Sequence, residues 1–195
     1  MVRVYLMKSR ETGMNHRQES EQARRLLERI LSRKFPEVAA PFSIEKTPEG
    51  KPYLPDYPHI CFNLSHSSGY IACAIGDKPV GIDVEVWKNR RTGEKVVKKF
   101  HPLERELYEN TAADRQQELF YRLWVFKESF VKAMGEGLRI PLDSFCLSED
   151  GKTVCQSRND RTYYYRAYEM DRPDCSLAVC SEESVFADEI CWLFP

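Results

Sequence analysis

The sequence predicts an α+β fold built as two similar halves, each a helix packed on a small antiparallel sheet. Three observations predict it. Apolar residues recur at helical spacing in two long stretches. Short runs of alternating or continuous apolar residues follow each stretch. Turn sequences rich in Gly, Pro, Asp and Asn separate those runs. A helix followed by antiparallel strands, twice over, argues for segregated rather than alternating elements. The expected division is residues 1–87 for the N-terminal half and 88–195 for the C-terminal half, a pseudo-dimer with a cleft between its parts.

The elements justify themselves in order. "VRVYLM" at 2–7 alternates as a strand does. Ala23, Leu26, Leu27, Ile30 and Leu31 then fall at helical spacing, so a helix is expected over about 19–34, with Pro36 and Pro41 beyond its end. "HICFNL" and "YIACAI" read as two strands, with "SHSSG" supplying the turn chemistry between them. "GDKP" turns the chain into "GIDVEVW", residues 81–87. There Ile82, Val84 and Val86 point one way while Asp83 and Glu85 point the other.

The second half opens on the basic stretch "KNRRTGEKVVKKF". Pro102 suits the first position of a short helix, "PLERELYEN". Asp114, with Gln117 three residues on, has the spacing of a capping box for the longest helix, about 115–134. Gly135 and Gly137 close that helix and Pro141 prevents its continuation. "SFCLSE", "KTVCQ", "TYYYRAYEM", "CSLAVC" and "EICWLF" are the remaining strands.

Composition excludes several classes. A content of 42% hydrophobic and 12% aromatic residues over 195 positions supplies a packed interior, which excludes a disordered chain. The formal net charge of −1 gives no ground for a nucleic-acid binder. No apolar run is long enough to span a bilayer, and "MVRVYLMKSRETG" lacks the apolar core of a signal peptide. A cytoplasmic protein without membrane association is expected. The seven cysteines are an odd set without a C-x-x-C pair, and most sit in apolar strand-like runs. They read as reduced core thiols, not as a disulfide framework or a zinc cage.

Chemistry concentrates in four places. Carboxylates at i and i+2 of a strand share a face, roughly 7 Å apart. Asp83 and Glu85 therefore suit a magnesium ion, which binds through oxygen ligands; a solvated acidic edge is the other reading. On the long helix, Leu119, Phe120, Leu123, Phe126, Phe130, Val131 and Met134 form one apolar stripe. Lys127 falls in its middle, where an ammonium needs a partner. Glu128 and Lys132 lie four apart on its border, as an ion pair or as site residues. Ser65 and His66, in "FNLSHSSG", offer donors suited to a phosphate or simply form a polar turn. Lys51, in "GKPYLPD", sits on a Gly- and Pro-bounded loop.

Taken together, "GKP", "FNLSHS", "GIDVE" and "LWVFKESFVKAMGEGL", with the following "PLDSF", resemble the 4′-phosphopantetheinyl transferases of the surfactin-synthetase-activating type. The resemblance runs from about residue 45 to 195. It implies a pseudo-dimer of two α+β halves whose active site lies in the cleft between them. It implies transfer of the 4′-phosphopantetheine arm of coenzyme A to a serine of an apo acyl or peptidyl carrier protein, releasing adenosine 3′,5′-bisphosphate. By this resemblance Asp83, Glu85 and Glu128 would ligate Mg²⁺ and Glu128 would also be the base for the carrier serine. Lys132 would stabilise the leaving phosphate. Lys51, Ser65 and His66 would hold the phosphates of the nucleotide, and Lys127 would bind alongside while bracing the helix.

His16 and Arg17 resemble the family's His-Arg pair at the head of the first helix, which would make Arg17 a coenzyme A-binding residue, although a gapless alignment misses them by two positions. Family members usually open with a longer segment, and Glu104 matches an acidic position without an assigned role. A basic cluster, Lys88, Arg90, Arg91, Lys95, Lys98 and Lys99, would suit an acidic carrier helix or would simply be solvated. A monomer is expected. Two other functions use the same residues: a magnesium-dependent phosphohydrolase of nucleotide diphosphates, and a non-catalytic module that binds coenzyme A or a carrier.

Overall fold

The computed structural model describes residues 1–11, 13–88 and 93–194, the side chain at 138 apart. Its first strand, β1 (Arg3–Lys8), leads into α1 (His16–Lys34). The helix starts earlier than its apolar spacing marks, because Asn15 caps it. The Asn15 side chain accepts from the Gln18 N–H, and the Gln18 side chain accepts from that of Asn15. A small hairpin that the pattern did not announce follows, β2 (Glu45–Lys46) and β3 (Pro52–Tyr53).

The next hairpin, β4 (Cys61–Ser67) and β5 (Tyr70–Gly76), turns on two residues only. Ser68 and Gly69 both have positive φ, 49° and 86°, as a tight two-residue hairpin turn requires. The expected turn at 65–69 is therefore shorter, and Ser65, His66 and Ser67 are strand residues paired with β5. The strand β6 (Val80–Val86) carries the acidic motif.

Beyond it lie α2 (Gly93–Val97), α3 (Pro102–Glu109) and the long α4 (Gln116–Met134). Pro102 opens α3 as expected, with a capping box between His101 and Glu104. The expected capping box of α4 does not form. Arg115 is its N-cap, without a side-chain bond, because the turn closed by Arg115 N–H on Ala112 O delivers the chain in near-helical geometry. Gly135 ends α4 at φ +78°, a left-handed conformation that glycine adopts without a Cβ penalty. The remaining strands are β7 (Phe145–Leu147), β8 (Val154–Gln156), β9 (Tyr164–Tyr168), β10 (Cys175–Ser181) and β11 (Cys191–Leu193).

Two main sheets result, of order β11-β1-β5-β4 and β6-β10-β9. Their facing sides share one core: Val4, Leu6, Ala72 and Ala74 from the first meet Ile82, Val84, Leu177 and Val179 from the second. Each such aliphatic side chain, fully buried, contributes about 1.5–3 kcal/mol. The apolar stripe of α1 covers the other face of the first sheet through Leu26, Leu27 and Ile30. Phe126, Phe130 and Val131 of α4 cover the second, against Cys180, Tyr163 and Phe145. The fold is mixed α+β, as expected.

Two pairings depart from expectation. β6 lies in residues 1–87 yet joins β10, and β11, from the C-terminal end, joins β1. The division at residue 87 is therefore not a division between sheets. The β1–β11 pairing is also parallel, not antiparallel. Among the described residues no helix is long and apolar enough to cross a membrane.

Candidate active site

β6 alternates as the sequence requires. Ile82, Val84 and Val86 enter the core between the sheets, so Gly81, Asp83 and Glu85 face α4. The glycine is where the helix comes closest. A Cβ on Gly81 would collide with the Ser129 carbonyl oxygen and the Ala133 nitrogen of α4. Only a residue without a side chain lets the helix lie this near the acidic strand.

β4 meets β6 edge to edge, and side chains replace the backbone ladder there. Asn63 Oδ1 accepts from Ile82 N–H at 2.9 Å, Ser65 Oγ from Val84 N–H at 3.2 Å, and Ser67 Oγ from Val86 N–H at 3.1 Å. Three polar residues at i, i+2 and i+4 of one strand thus satisfy alternate N–H groups of the next, which would otherwise be unpaired at a buried edge. The two serines then donate onward, Ser65 to Asp83 Oδ1 at 2.9 Å and Ser67 to Glu85 Oε2 at 3.0 Å.

α4 supplies the opposing wall. Lys132 Nζ sits 2.6 Å from Asp83 Oδ1 and 3.2 Å from both Ser65 Oγ and the Ile82 carbonyl. Those three contacts use all three ammonium protons. Asp83 is 4% exposed, and its second oxygen, Oδ2, is buried without a partner among the described residues. Glu128, one turn before Lys132, makes no hydrogen bond among the described residues. Burial pushes the Glu128 carboxyl above the usual range and the charge of Asp83 adds to it, with Lys132 opposing. Burial and Asp83 push Glu85 up likewise.

These groups line a cavity of about 770 Å³ that also takes in His16, Tyr121 and Lys88. A second cavity, about 860 Å³, is lined by Lys51, Lys98, Lys99, Val131 and Leu142. Trp124, Glu128 and Lys132 border both, so the two are lobes of one cleft with Glu128 at the join.

The structure brings Asp83, Glu85, Glu128, Lys132, Ser65 and His66 to one cavity. It corrects the expected roles of several others. Lys127 is not a ligand-binding residue. It is fully buried, 2.6 Å from Glu104 Oε2, 2.8 Å from the Leu142 carbonyl and 2.6 Å from that of Phe145. Its ammonium also lies 4.1 Å from the centre of the Phe145 ring. Burial pulls Lys127 down and pushes Glu104 up, and their mutual attraction opposes both shifts. Lys127 braces α4 against α3 and the 142–145 segment, and Glu104 thereby acquires a role.

Lys51 lines the second lobe but turns its amine inward, 2.8 Å from the Ala133 carbonyl and 3.2 Å from that of Val80. Ala133 lies in the last turn of α4, whose free carbonyls attract a cation. Burial brings the Lys51 pKa down to about 8.

His66 lines the first lobe beside Asp83, Glu85 and Glu128, with its ring nitrogens engaged by α1. Its Nδ1 is 3.0 Å from Glu19 Oε2 and its Nε2 3.0 Å from Ser20 Oγ, with the His16 ring edge-on at 4.8 Å. Burial pulls the His66 pKa down, against the pull of Glu19. Arg17 is exposed and lines neither lobe; its neighbour His16 does. Arg90 and Arg91 lie outside the described residues.

Glu19 is the buried residue that sequence reasoning missed. Besides His66 it holds the Gly69 N–H, at 2.8 Å. It stands four residues before Ala23 on the apolar stripe of α1, and a carboxylate there was the available signal. The i, i+2, i+4 run of Asn63, Ser65 and Ser67 was another.

Among the described residues no three His, Cys, Asp or Glu side chains converge into a cage for a metal ion. The ammonium of Lys132 occupies one oxygen of Asp83 instead. A divalent cation still fits the donor set. Asp83 Oδ2 is an orphaned buried acceptor, and Glu85 and Glu128 are raised partly by repulsion that a cation would relieve. Mg²⁺ in particular needs only one or two carboxylates beside substrate phosphate and water.

A mixed α+β protein with a carboxylate-lined cavity beside β4, β6 and α4 is the class this geometry defines. The family model of the 4′-phosphopantetheinyl transferase superfamily matches residues 79–180, from the start of β6 through β10 and more than half of the chain. The chain belongs to that superfamily. It is 40% identical over 144 residues to a 4′-phosphopantetheinyl transferase of Bacillus subtilis, covering 72% of this chain and 63% of the relative. To the 4′-phosphopantetheinyl transferase Sfp of Bacillus subtilis (strain 168) it is 34% identical over 171 residues, 85% of this chain and 74% of the relative. To the 4′-phosphopantetheinyl transferase psf-1 of Bacillus pumilus it is 34% identical over 145 residues, 72% and 61%. The chain thus spans between about three fifths and three quarters of these relatives' lengths.

Proposed function

We infer that this protein transfers the 4′-phosphopantetheine group of coenzyme A to the serine hydroxyl of an apo acyl or peptidyl carrier protein, leaving adenosine 3′,5′-bisphosphate. The observation that carries this reading is Asp83, held by Ser65 and Lys132 with one oxygen free, in a cleft it shares with Glu85 and Glu128. The cleft between the sheets is the proposed active site, and the chain is proposed to act as a monomer in the cytoplasm.

Asp83, Glu85 and Glu128 are the residues that would hold Mg²⁺. When bound, the ion supplies charge neutralisation for the diphosphate of coenzyme A. The rest falls to the chain. Lys132 can exchange its 3.2 Å bond to the Ile82 carbonyl for a phosphate oxygen while keeping Asp83, and so stabilise charge on the leaving phosphate. Glu128, without a hydrogen bond of its own and raised by burial, is placed to accept the proton of the attacking hydroxyl. Lys98 and Lys99 at the second lobe offer positive charge to the nucleotide or to an acidic carrier.

The test is direct. The protein is incubated with coenzyme A, Mg²⁺ and apo carrier domains, and carrier mass is followed. One phosphopantetheine added per carrier is expected. No gain on any carrier type overturns the reading, and cleavage of coenzyme A without a carrier would replace it with a phosphohydrolase.

A further inference from the structure

Two cysteines stand face to face on the hairpin of β7 and β8. Cys146 and Cys155 are direct cross-strand partners in the antiparallel register. Directly opposed residues project from the same face of a hairpin. Cys146 is buried and Cys155 exposed. None of the other five cysteines faces a cysteine across the strand pairs. We propose that Cys146 and Cys155 form a dithiol modification site, which a low-molecular-weight disulfide oxidises to an intramolecular cross-strand disulfide.

The backbone permits the bond. Ser148 donates to the Thr153 carbonyl at 2.9 Å, so the pair two positions back, Cys146 and Cys155, is also hydrogen-bonded. Cα atoms of such a pair lie about 5.5 Å apart, inside the 4.4–6.8 Å range of disulfides. Cβ atoms across a hydrogen-bonded pair lie at the wide end of about 4.5–5.5 Å, against about 3.5–4.5 Å in a disulfide, so closure draws the strands together by about 1–2 Å. Two three-residue strands give way to that extent more readily than a broad sheet. A bond formed with such adjustment is easily reduced again.

The chemistry divides by exposure. The Cys155 thiolate attacks one sulfur of the reagent, forming a mixed disulfide and expelling the first thiolate. Cys146 gives up its proton and attacks the Cys155 sulfur, forming the internal disulfide and expelling the second. The reagent leaves as two thiols, which carry the two hydrogens the protein lost. Burial pushes the Cys146 thiol up, Cys155 and Glu104 add to the shift and Lys127 opposes it, so the buried Cys146 suits the resolving step and the exposed Cys155 the first. Neither cysteine lines the cleft, and the site stands whether or not the transfer reaction does.

The experiment treats the reduced, folded protein with glutathione disulfide and maps its peptides by mass. The wild type is expected to show a Cys146–Cys155 cross-link with the mass of two hydrogens lost, reversed by a reducing thiol. Cys146→Ser, or Cys146→Ala if serine is not tolerated in the buried position, is expected to keep glutathione on Cys155. Cys155→Ser should show neither at this hairpin. A wild type that retains glutathione on Cys155 as stably as the Cys146 variant, or that leaves both thiols unmodified, overturns the proposal.

Discussion

The Ser65 hydroxyl holds Asp83 at 2.9 Å with its single proton while accepting from the Val84 N–H and from Lys132. One donor and two acceptor sites are all a hydroxyl has. Ser65 therefore has nothing left for a phosphate while Asp83 is in place, and its work is to orient the carboxylate and join two sheets. Ser65→Ala should strand the buried Val84 N–H and remove a donor from Asp83, costing about 1–3 kcal/mol of stability. Urea unfolding checks the cost. A variant as stable as the parent would show that the bridge between β4 and β6 carries no weight.

Gly81 sets the distance between the acidic strand and α4. Gly81→Ala places a methyl against backbone atoms of Ser129 and Ala133, which cannot swing aside as a side-chain tip can. Overpacking of this kind costs about 1–3 kcal/mol and displaces the helix. Because Glu128 and Lys132 ride on that helix, the proposed carrier modification should fall much more than folded fraction does. Rates of modification, normalised to folded protein by circular dichroism, decide the point; an unchanged rate would free the glycine of this role.

Much of this site was legible in the sequence, and the reasons differ by residue. The alternation of 81–87 fixes which face of β6 is acidic, and the stripe of α4 shows that Lys127 is inside, because both are local periodicities. What could not be read is long-range. That β6 would pair with β10, and β11 with β1, depends on contacts far apart in sequence. Ser65 and His66 read as phosphate donors because a hydroxyl and an imidazole at a strand end, in a motif that resembles the family's, show no local partner. Extending β4 to Ser67 sends Ser65 to β6 and His66 to α1 instead. Lys51 was read as a loop lysine for the same reason, with no local signal that the end of α4 would come within its reach.

Lys127 and Glu104 make a second, independent test of what holds α4. Lys127→Met removes the ammonium and leaves a buried carboxylate without its partner, at an expected cost of about 3–5 kcal/mol. The double variant Lys127→Met with Glu104→Leu should recover most of that, because an apolar pair of similar volume needs no compensation. Denaturant midpoints of the two single variants and the double give the coupling. Additive losses would mean the pair does not act as one.

Glu85 and Glu128 tie metal binding to pH. Both carboxyls are raised above 4.5 in the folded protein by burial and by the neighbouring charge of Asp83. Between 4.5 and those raised values the folded state binds more protons than the unfolded, so stability falls as pH rises through this window. The lost stability is the cost of ionising crowded, buried carboxylates. A divalent cation binds the ionised form and removes that cost, so protons and Mg²⁺ compete. The melting temperature should therefore rise more on adding Mg²⁺ at the higher of two pH values that both keep the protein folded, about pH 7.5, than at a lower one nearer the carboxylate range, where protons compete with the ion. Glu128→Gln should shrink the shift at the higher pH. A shift that is equal at both pH values, or larger at the lower, would place the cation away from these carboxylates.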